Sequence, residues 1–466
     1  MRIGLVGQTY QQRSLPFNAQ RTINFWPIFD QEGKEVSALY GTPGLTSFAT
    51  AGSQGHRQAF TSSNDRCFFV AGDTLYEVDS NGTTTSRGTL LTSSGNVSMD
   101  ENSTQLGICD GTNLYTLTYS SNAFAQVTDA DLPSSVGFLT VIDEYFVVNQ
   151  NDTGKFFISS NGDGTAWDAL DFATAESNPD ELKCVKNALG QLWLFGTKTT
   201  EIWTNTGASS FPFSRISGAV MEAGIIAPHS VQDVDNSVFW LGQDKRGAGI
   251  VYRANGFVPA TVSPEPINIA IGKATDKENI TSWTYQEDGH TFYALTGGGL
   301  ETTLVYDIST QQWHERSYND SGALSQHLGR CVTYAFGKQL VGDRRNGNIY
   351  EMSLTKYGDN GEDIVSERIY THVGDMNERI RYNKLEISME TGVGNLTGDG
   401  QDPLVSLQLS KDGARTWSNW LTANIGKAGE YLTKVVFRRL GIAEQMTFKL
   451  RISAQVKKAL TGSYIR

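Results

Sequence analysis

The chain has 466 residues, a formal net charge of −12 and 19% charged residues, which is too long for one ordinary domain and too acidic to grip nucleic-acid phosphates, a task that needs clustered Lys and Arg. No stretch approaches the ~18 consecutive apolar residues of a membrane-spanning helix. The four cysteines, Cys67, Cys109, Cys184 and Cys331, lie far apart without a CxxC pair, so they read as buried apolar side chains in a reducing cytoplasm, not as a disulfide framework or zinc site.

The opening Met1-Arg2-Ile3-Gly4-Leu5-Val6-Gly7-Gln8 is too short an apolar run for a secretory signal. Its Gly4-x-x-Gly7 lacks the third glycine and the helix of a dinucleotide fingerprint. Residues 1–50 are expected to form an arm. Its run Leu39-Tyr40-Gly41-Thr42-Pro43-Gly44-Leu45 is expected to lend a strand to the last of the units that follow.

From about residue 51 to 355 one unit recurs: a short β-type run, a turn of Asp, Asn or Gly, a second run, a turn, and a third run around an aromatic. Cys67-Phe68-Phe69-Val70 precedes Leu75-Tyr76-Glu77-Val78; Leu106-Gly107-Ile108-Cys109 precedes Leu114-Tyr115-Thr116-Leu117. The pattern returns around Phe157, Trp203, Tyr252, Tyr306 and Tyr350, at a spacing of about 40–54 residues, which is the period of a β-propeller. Unit four shows a first strand at Leu182-Lys183-Cys184-Val185 and a fourth at Phe213-Ser214-Arg215-Ile216. Seven units can be counted, or six if the weak seventh belongs elsewhere. Stacking such sheets around an axis buries both faces of each. An irregular series of hairpins in a sandwich or solenoid is the alternative reading.

The polar, glycine-containing stretch 356–363 reads as a boundary. Beyond it, over 356–466, strict alternation puts Leu385, Ile387 and Met389 on one face, as it does Val405, Leu407 and Leu409, and Met446, Phe448, Leu450 and Ile452. Period two means half-buried strands, and five or six of them suggest a small β-sandwich. Its tail holds nine Lys and Arg against Glu430 and Glu444 from residue 427 onward. Arg438, Arg439, Lys457 and Lys458 are therefore the candidate interface residues for an acidic neighbour; a solvated polar face is the plainer alternative.

Chemistry is hard to find. Ser410-Lys411-Asp412-Gly413-Ala414-Arg415-Thr416-Trp417 resembles the Asp-box of sialidase-type propellers, with the glycine one place early, and 160–167 is a looser echo. An Asp-box is a turn device whose Asp caps backbone amides, away from any catalytic carboxylate. Glycosidase chemistry needs two placed carboxylates, and no motif selects a pair among 50 acidic residues or groups Arg246, Arg253, Arg316, Arg344 and Arg345 into a cluster. The histidines, His56, His229, His290, His314, His327 and His372, make no metal-binding motif. Asn161-x-Asp163-Gly164 looks like part of a calcium loop without its later Glu. No catalytic, cofactor or metal residue is assigned, and the chain is expected not to be an enzyme. A carbohydrate-active propeller, sialidase-like hydrolase or lectin, is the alternative function; a propeller scaffold in a cellular complex is a third.

Several strings carry a family resemblance: Arg21-Thr22-Ile23-Asn24-Phe25-Trp26-Pro27, the run 39–45 and, most densely, Phe157-Ile158-Ser159 through Thr165-Ala166-Trp167-Asp168-Ala169-Leu170-Asp171-Phe172 to Asp180. Leu192-Trp193-Leu194-Phe195-Gly196 and 235–242 continue it. The chain resembles the tail-hub or nozzle (packaged-DNA-stabilisation) proteins of short-tailed bacteriophages. The resemblance spans most of the chain but carries no chemical motif. It implies a structural virion protein, assembled in the infected bacterial cytoplasm, that forms a ring with itself, as a hexamer, below the portal-adaptor ring. It also implies contact with a tailspike or tail fibre and a tail needle or plug. Genomic DNA would be retained above the ring and pass through its lumen without specific binding. An acidic balance agrees with that, because a basic lining would hold phosphates.

Overall fold

The repeat folds as antiparallel meanders in chain order. The first comprises strands His56–Thr61, Cys67–Ala71, Thr74–Val78 and Thr84–Thr89. Further sheets follow over 98–126, 136–174, 182–221, 224–243 with 249–261, 280–320 and 329–353. The computed structural model describes residues 2–30, 36–176, 178–243, 247, 249–374 and 378–466. Arg246 and Ser177 of the strings above lie outside them. The protein is nearly all β, as the recurring strand-type runs and the alternation predict, and the one α-helix among the described residues is Glu265–Gly272.

The second strand of each sheet is largely apolar and deeply buried. Cys67–Ala71 and Gln105–Cys109 are buried throughout, because each sheet is covered on both faces and neither face can be polar. Outer strands such as Ala123–Gln126 are largely exposed. The recurring aromatics all fall on the third strand of their sheet, from Tyr76 in Thr74–Val78 to Tyr350 in Asn348–Ser353. Side chains of successive sheets interdigitate: Phe68, Val70 and Leu75 pack with Met99, Leu106 and Ile108. Burying one such side chain is worth about 1.5–3 kcal/mol.

The ring closes. Cys67, Phe69 and Val78 of the first sheet share one cluster with Cys331, Leu340 and Ile349 of the last. The outer strand of that last sheet is Gly44–Thr50, which pairs antiparallel with Asn348–Ser353 through Met352↔Leu45 and Ile349↔Ala49. The closing strand thus begins near the end of the run 39–45. The preceding Ser37–Gly41 pairs instead with Phe25–Phe29 and Ala459–Ile465, in the C-terminal domain.

That domain is a sandwich of two sheets. One runs Phe25–Phe29, Ser37–Gly41, Ala459–Ile465, Ile380–Met389, Val435–Ala443, with Arg2–Ile3 beside Ala459–Ile465. The other runs Ala19–Ile23, Ser366–Ile369, Gln445–Ile452, Leu404–Ser410, Leu421–Asn424. The alternating residues meet in its core: Leu385 and Ile387 pack against Val405, Leu407, Phe448 and Leu450. The strands of residues 2–30 and 36–41 therefore pair mainly with the sandwich, and 44–50 with the propeller.

Candidate assembly site and interdomain seam

The arm joins the two bodies through backbone pairing. Ala19–Ile23 lies antiparallel to Ser366–Ile369 of the sandwich and, at Ile23↔Glu315, parallel to Gln312–Asp320 of the propeller. A single sheet thus crosses the seam, and a row of side chains reinforces it. Asn24, 1% exposed and at φ 51°, donates from Nδ2 to the carbonyls of Ser317 and Val365, both at 2.9 Å. Its Oδ1 accepts the Ser317 amide at 2.9 Å. Asn is among the few non-glycine residues that take a left-handed backbone readily.

Arg21 grips Glu315 with two nitrogens, Nε at 2.9 Å and Nη2 at 2.6 Å. Burial opposes its charge, but the Glu315 carboxylate outweighs it and raises the guanidinium's pKa. Thr302 also donates to Glu315, at 2.7 Å. Arg368 is fully buried, donating to Leu5 O at 2.7 Å, Thr22 Oγ1 at 2.8 Å and Gln20 Oε1 at 2.6 Å. Burial pushes its pKa down to about 10. On the propeller side Arg316 donates to Pro43 O at 2.7 Å and lies 5.6 Å from the Tyr285 ring centroid. Of these residues only Arg316 stands among the arginines weighed as a cluster above, and no motif selects it. Arg21 and Asn24 stood inside a quoted string, but their partners lie more than 290 positions away.

The four basic interface candidates are not one patch. Arg438 and Arg439 are exposed on Val435–Ala443, with Arg438 opposite Lys384. Lys457 is about half exposed and pairs with Glu390 at 2.8 Å. From Lys384 to Glu390 the chain runs along Ile380–Met389 and just beyond, about 20 Å at the strand rise. Lys458 is not a surface residue. It is 6% exposed, and its ammonium turns inward to Ile364 O at 2.5 Å and Ser366 Oγ at 3.1 Å. Burial pushes its pKa down to about 7, and pushes that of nearby Asp359, also fully buried, up to about 6. Adjacent residues of an extended chain point to opposite sides, so the Lys-Lys pair splits, one outward and one into the seam.

The Asp-box-like segments are turns. Asp412 accepts from Ser410 Oγ at 2.8 Å and from the amides of Arg415 at 3.1 Å and Thr416 at 2.9 Å. Hydrogen bonds from Thr416 lead in holding its carboxyl below the usual range. Trp417 carries Lys449 Nζ at 4.2 Å over its ring. In the echo, Asp163 accepts the Thr165 amide at 2.9 Å and Trp167 donates to Gly164 O at 3.0 Å.

The remaining candidates do not converge. Arg253 pairs with Asp235 at 2.8 Å, Arg344 donates to His327 O at 3.2 Å, and Arg345 stacks 4.7 Å over Tyr318. His56, His229, His314 and His327 are held neutral by burial, His290 meets Asp307 at 2.8 Å, and His372 meets Leu15 O at 2.7 Å. No group of three metal-ligating side chains occurs among the described residues. Burial pushes the thiols of Cys67, Cys109 and Cys331 up to about 12, which leaves them unreactive as nucleophiles. No helix among the described residues is long and apolar enough to cross a membrane.

Residues 1–357 match the family described as bacteriophage P22 Gp10, beta-propeller, and residues 367–466 match its beta-sandwich. The chain belongs to the bacteriophage P22 Gp10 family. It is a structural phage tail protein, a virion component, and not an enzyme. Among curated protein sequences none matches significantly. Similar solved structures include the extracellular domain of the putative one-component system BT4673 from B. thetaiotaomicron, at 8% identity and TM-score 0.45 over 86% of this chain. This chain spans 48% of that one. A computationally designed protein, Ika8, matches at 11% identity and TM-score 0.41 over 67% of this chain and 99% of its own. The N-terminal domain of Nup159 matches at 11% identity and TM-score 0.40 over 75% of this chain and 99% of its own.

Proposed function

We propose that the protein is the subunit of a ring, six copies around the tail axis, that forms the nozzle of a short phage tail below the portal-adaptor ring. The ring retains the packaged genome and conducts it outward, and a tailspike or fibre and a needle or plug attach to it. The reading takes the sheets of the N-terminal body as seven blades. The observation that carries it is the chain-wide match to the Gp10 family. A wall that holds back pressurised DNA must not hinge. The arm supports this: the sheet crossing the seam, the Asn24 bonds and the Arg21–Glu315 pair make propeller and sandwich one stiff body. The exposed Arg438 and Arg439 on an edge strand are the proposed docking face for an acidic neighbour in that ring.

The test is a phage in which this gene is silenced. Heads should fill with DNA and then lose it, and supplying the protein in trans should restore infectivity. Stable, DNA-filled and infectious particles without the protein would overturn the proposal.

A further inference from the structure

The inner strands of the N-terminal body enclose a cavity of about 200 Å3 on its axis, lined from every sheet. Three cations reach it: Arg57, Lys186 and Arg330. One carboxylate reaches it, Asp100, and its oxygens are taken by the amides of Glu101 at 3.0 Å and Val141 at 2.8 Å and by Thr140 Oγ1 at 2.8 Å. None of the three cations forms an ion pair with any described residue. In a chain of net charge −12 this is an inverted local balance.

The two arginines are held close together. Arg57 Nε and Arg330 Nη2 both donate to the carbonyl of Gly95, each at 3.1 Å, so the two nitrogens cannot be farther apart than twice that distance. Arg57 spends its other donors on Gly72 O at 3.1 Å and on Thr92 O at 2.7 Å and Oγ1 at 3.0 Å. Arg330 is different. Only Nη2 is engaged, with Gly95 and with Asn96 Oδ1 at 2.6 Å. Its Nε and Nη1 have no hydrogen-bond partner among the described residues and are not sealed from solvent, and Arg330 lines the cavity. Burial lowers the pKa of both guanidiniums. His229, on the same wall, is pushed down to about 3 by burial, with Arg330 and Arg57 adding to it. Asp110, joined to Arg57 through Thr92 Oγ1 at 3.0 Å from each, partly balances Arg57, but no carboxylate acts on Arg330, and an unbalanced guanidinium lining a small polar cavity beside a second one is a site that an anion completes.

We propose that this axial cavity binds a small tetrahedral oxoanion of the phosphate class, held by Arg330 Nε and Nη1 with Lys186 opposite. A water molecule occupies about 30 Å3 in the liquid, so the space suits one oxoanion and a few waters and is far too small for a nucleic-acid duplex. The anion would act as a fixed counter-ion that ties the first sheet to the last at the ring closure, where Arg57 and Arg330 stand on His56–Thr61 and Gly329–Ala335.

The experiment titrates inorganic phosphate into the full chain at constant ionic strength against chloride, following melting temperature and calorimetric affinity. A parallel arm with a nucleoside monophosphate separates free phosphate from a phosphate ester. Melting temperature should rise with phosphate and not with chloride. Arg330→Gln should weaken phosphate binding at least about tenfold, read against its own phosphate-free melt, because the change relieves repulsion from Arg57 but also removes the Nη2 bonds to Gly95 and Asn96. Lys186→Gln should weaken it less. Independently of any variant, phosphate should raise the pKa of His229 read by NMR. No phosphate-specific stabilisation in the wild type, or a response that Arg330→Gln retains, overturns the proposal. If Arg330→Gln fails to fold, the wild-type His229 titration decides: a raised pKa supports the site and an unmoved one refutes it.

Discussion

Asn24→Ala tests whether the arm locks the two bodies together. The substitution removes the Nδ2 donor shared by Ser317 O and Val365 O and the Oδ1 acceptor of the Ser317 amide. Ser317 is 1% exposed and Val365 7% exposed, so water cannot readily replace what is lost. Leaving buried backbone groups unpaired costs about 1–3 kcal/mol each. A left-handed backbone, φ 51° at this position, costs an alanine a further ~1–2 kcal/mol. With relaxation around the site, the expected loss is about 3–6 kcal/mol, a large share of the ~5–15 kcal/mol typical of a folded domain. Asn24→Gly separates the two contributions: it should recover about 1 kcal/mol of the backbone strain and none of the hydrogen bonding. Urea unfolding followed by tryptophan fluorescence reads both, since Trp26 is buried two residues away. If Asn24→Ala lies within about 1 kcal/mol of wild type, or if Asn24→Gly restores full stability, the side-chain lock does not exist.

The buried pair at the seam gives a pH dependence. Lys458 falls from its ordinary 10.5 to about 7 in the folded chain, so the unfolded chain binds more protons between those values and stability rises with pH across that window. Asp359 rises from 3.8 to about 6, so the folded chain binds more protons between them and stability falls as pH rises from 3.8 to 6. Their joint contribution should be lowest between about pH 6 and 7; the double variant Asp359→Asn with Lys458→Met should flatten that dip in a series of melts across pH. Gly107→Ala would place a methyl 2.4 Å from Phe146 and 2.7 Å from Leu139 of the next sheet, an overpacking worth about 1–3 kcal/mol by denaturation. Gly272→Ala, with nothing within 4 Å, should be neutral or slightly stabilising. Arg438→Glu with Arg439→Glu should leave the melt of the isolated subunit unchanged while blocking incorporation into particles. Lys458→Glu should instead lower the melt, having no exposed face to alter.

The repeat was legible because each sheet is built locally. Cys67–Ala71 and Thr74–Val78 are joined by a two-residue turn, and the apolar runs are continuous because both faces are covered. The sandwich core was legible from alternation, as at Met446, Phe448, Leu450 and Ile452, all fully buried. The arm was not. Its strands are short, Arg2–Ile3 and Tyr10–Gln11 having two residues each, and their register is set by partners at the far end of the chain. The closing strand was expected from 39–45 but centres later, because Ser37–Gly41 is claimed by the sandwich. Charge counting misjudged Lys458 for a similar reason: composition records a basic tail but not which side of an extended chain each lysine faces. The axial arginines gave no sequence signal, since Arg57 and Arg330 are 273 positions apart and meet only when the ring closes.

A symmetric electron cryomicroscopy reconstruction of purified virions, combined with quantitative mass spectrometry, decides whether the chain forms a tail ring. Six copies of this chain per particle are expected in a closed ring beneath the portal-adaptor, each with its sandwich fixed to its propeller as in the isolated subunit. Particles without the chain, or with copies scattered singly on the capsid or bound outside the tail axis, would contradict that arrangement.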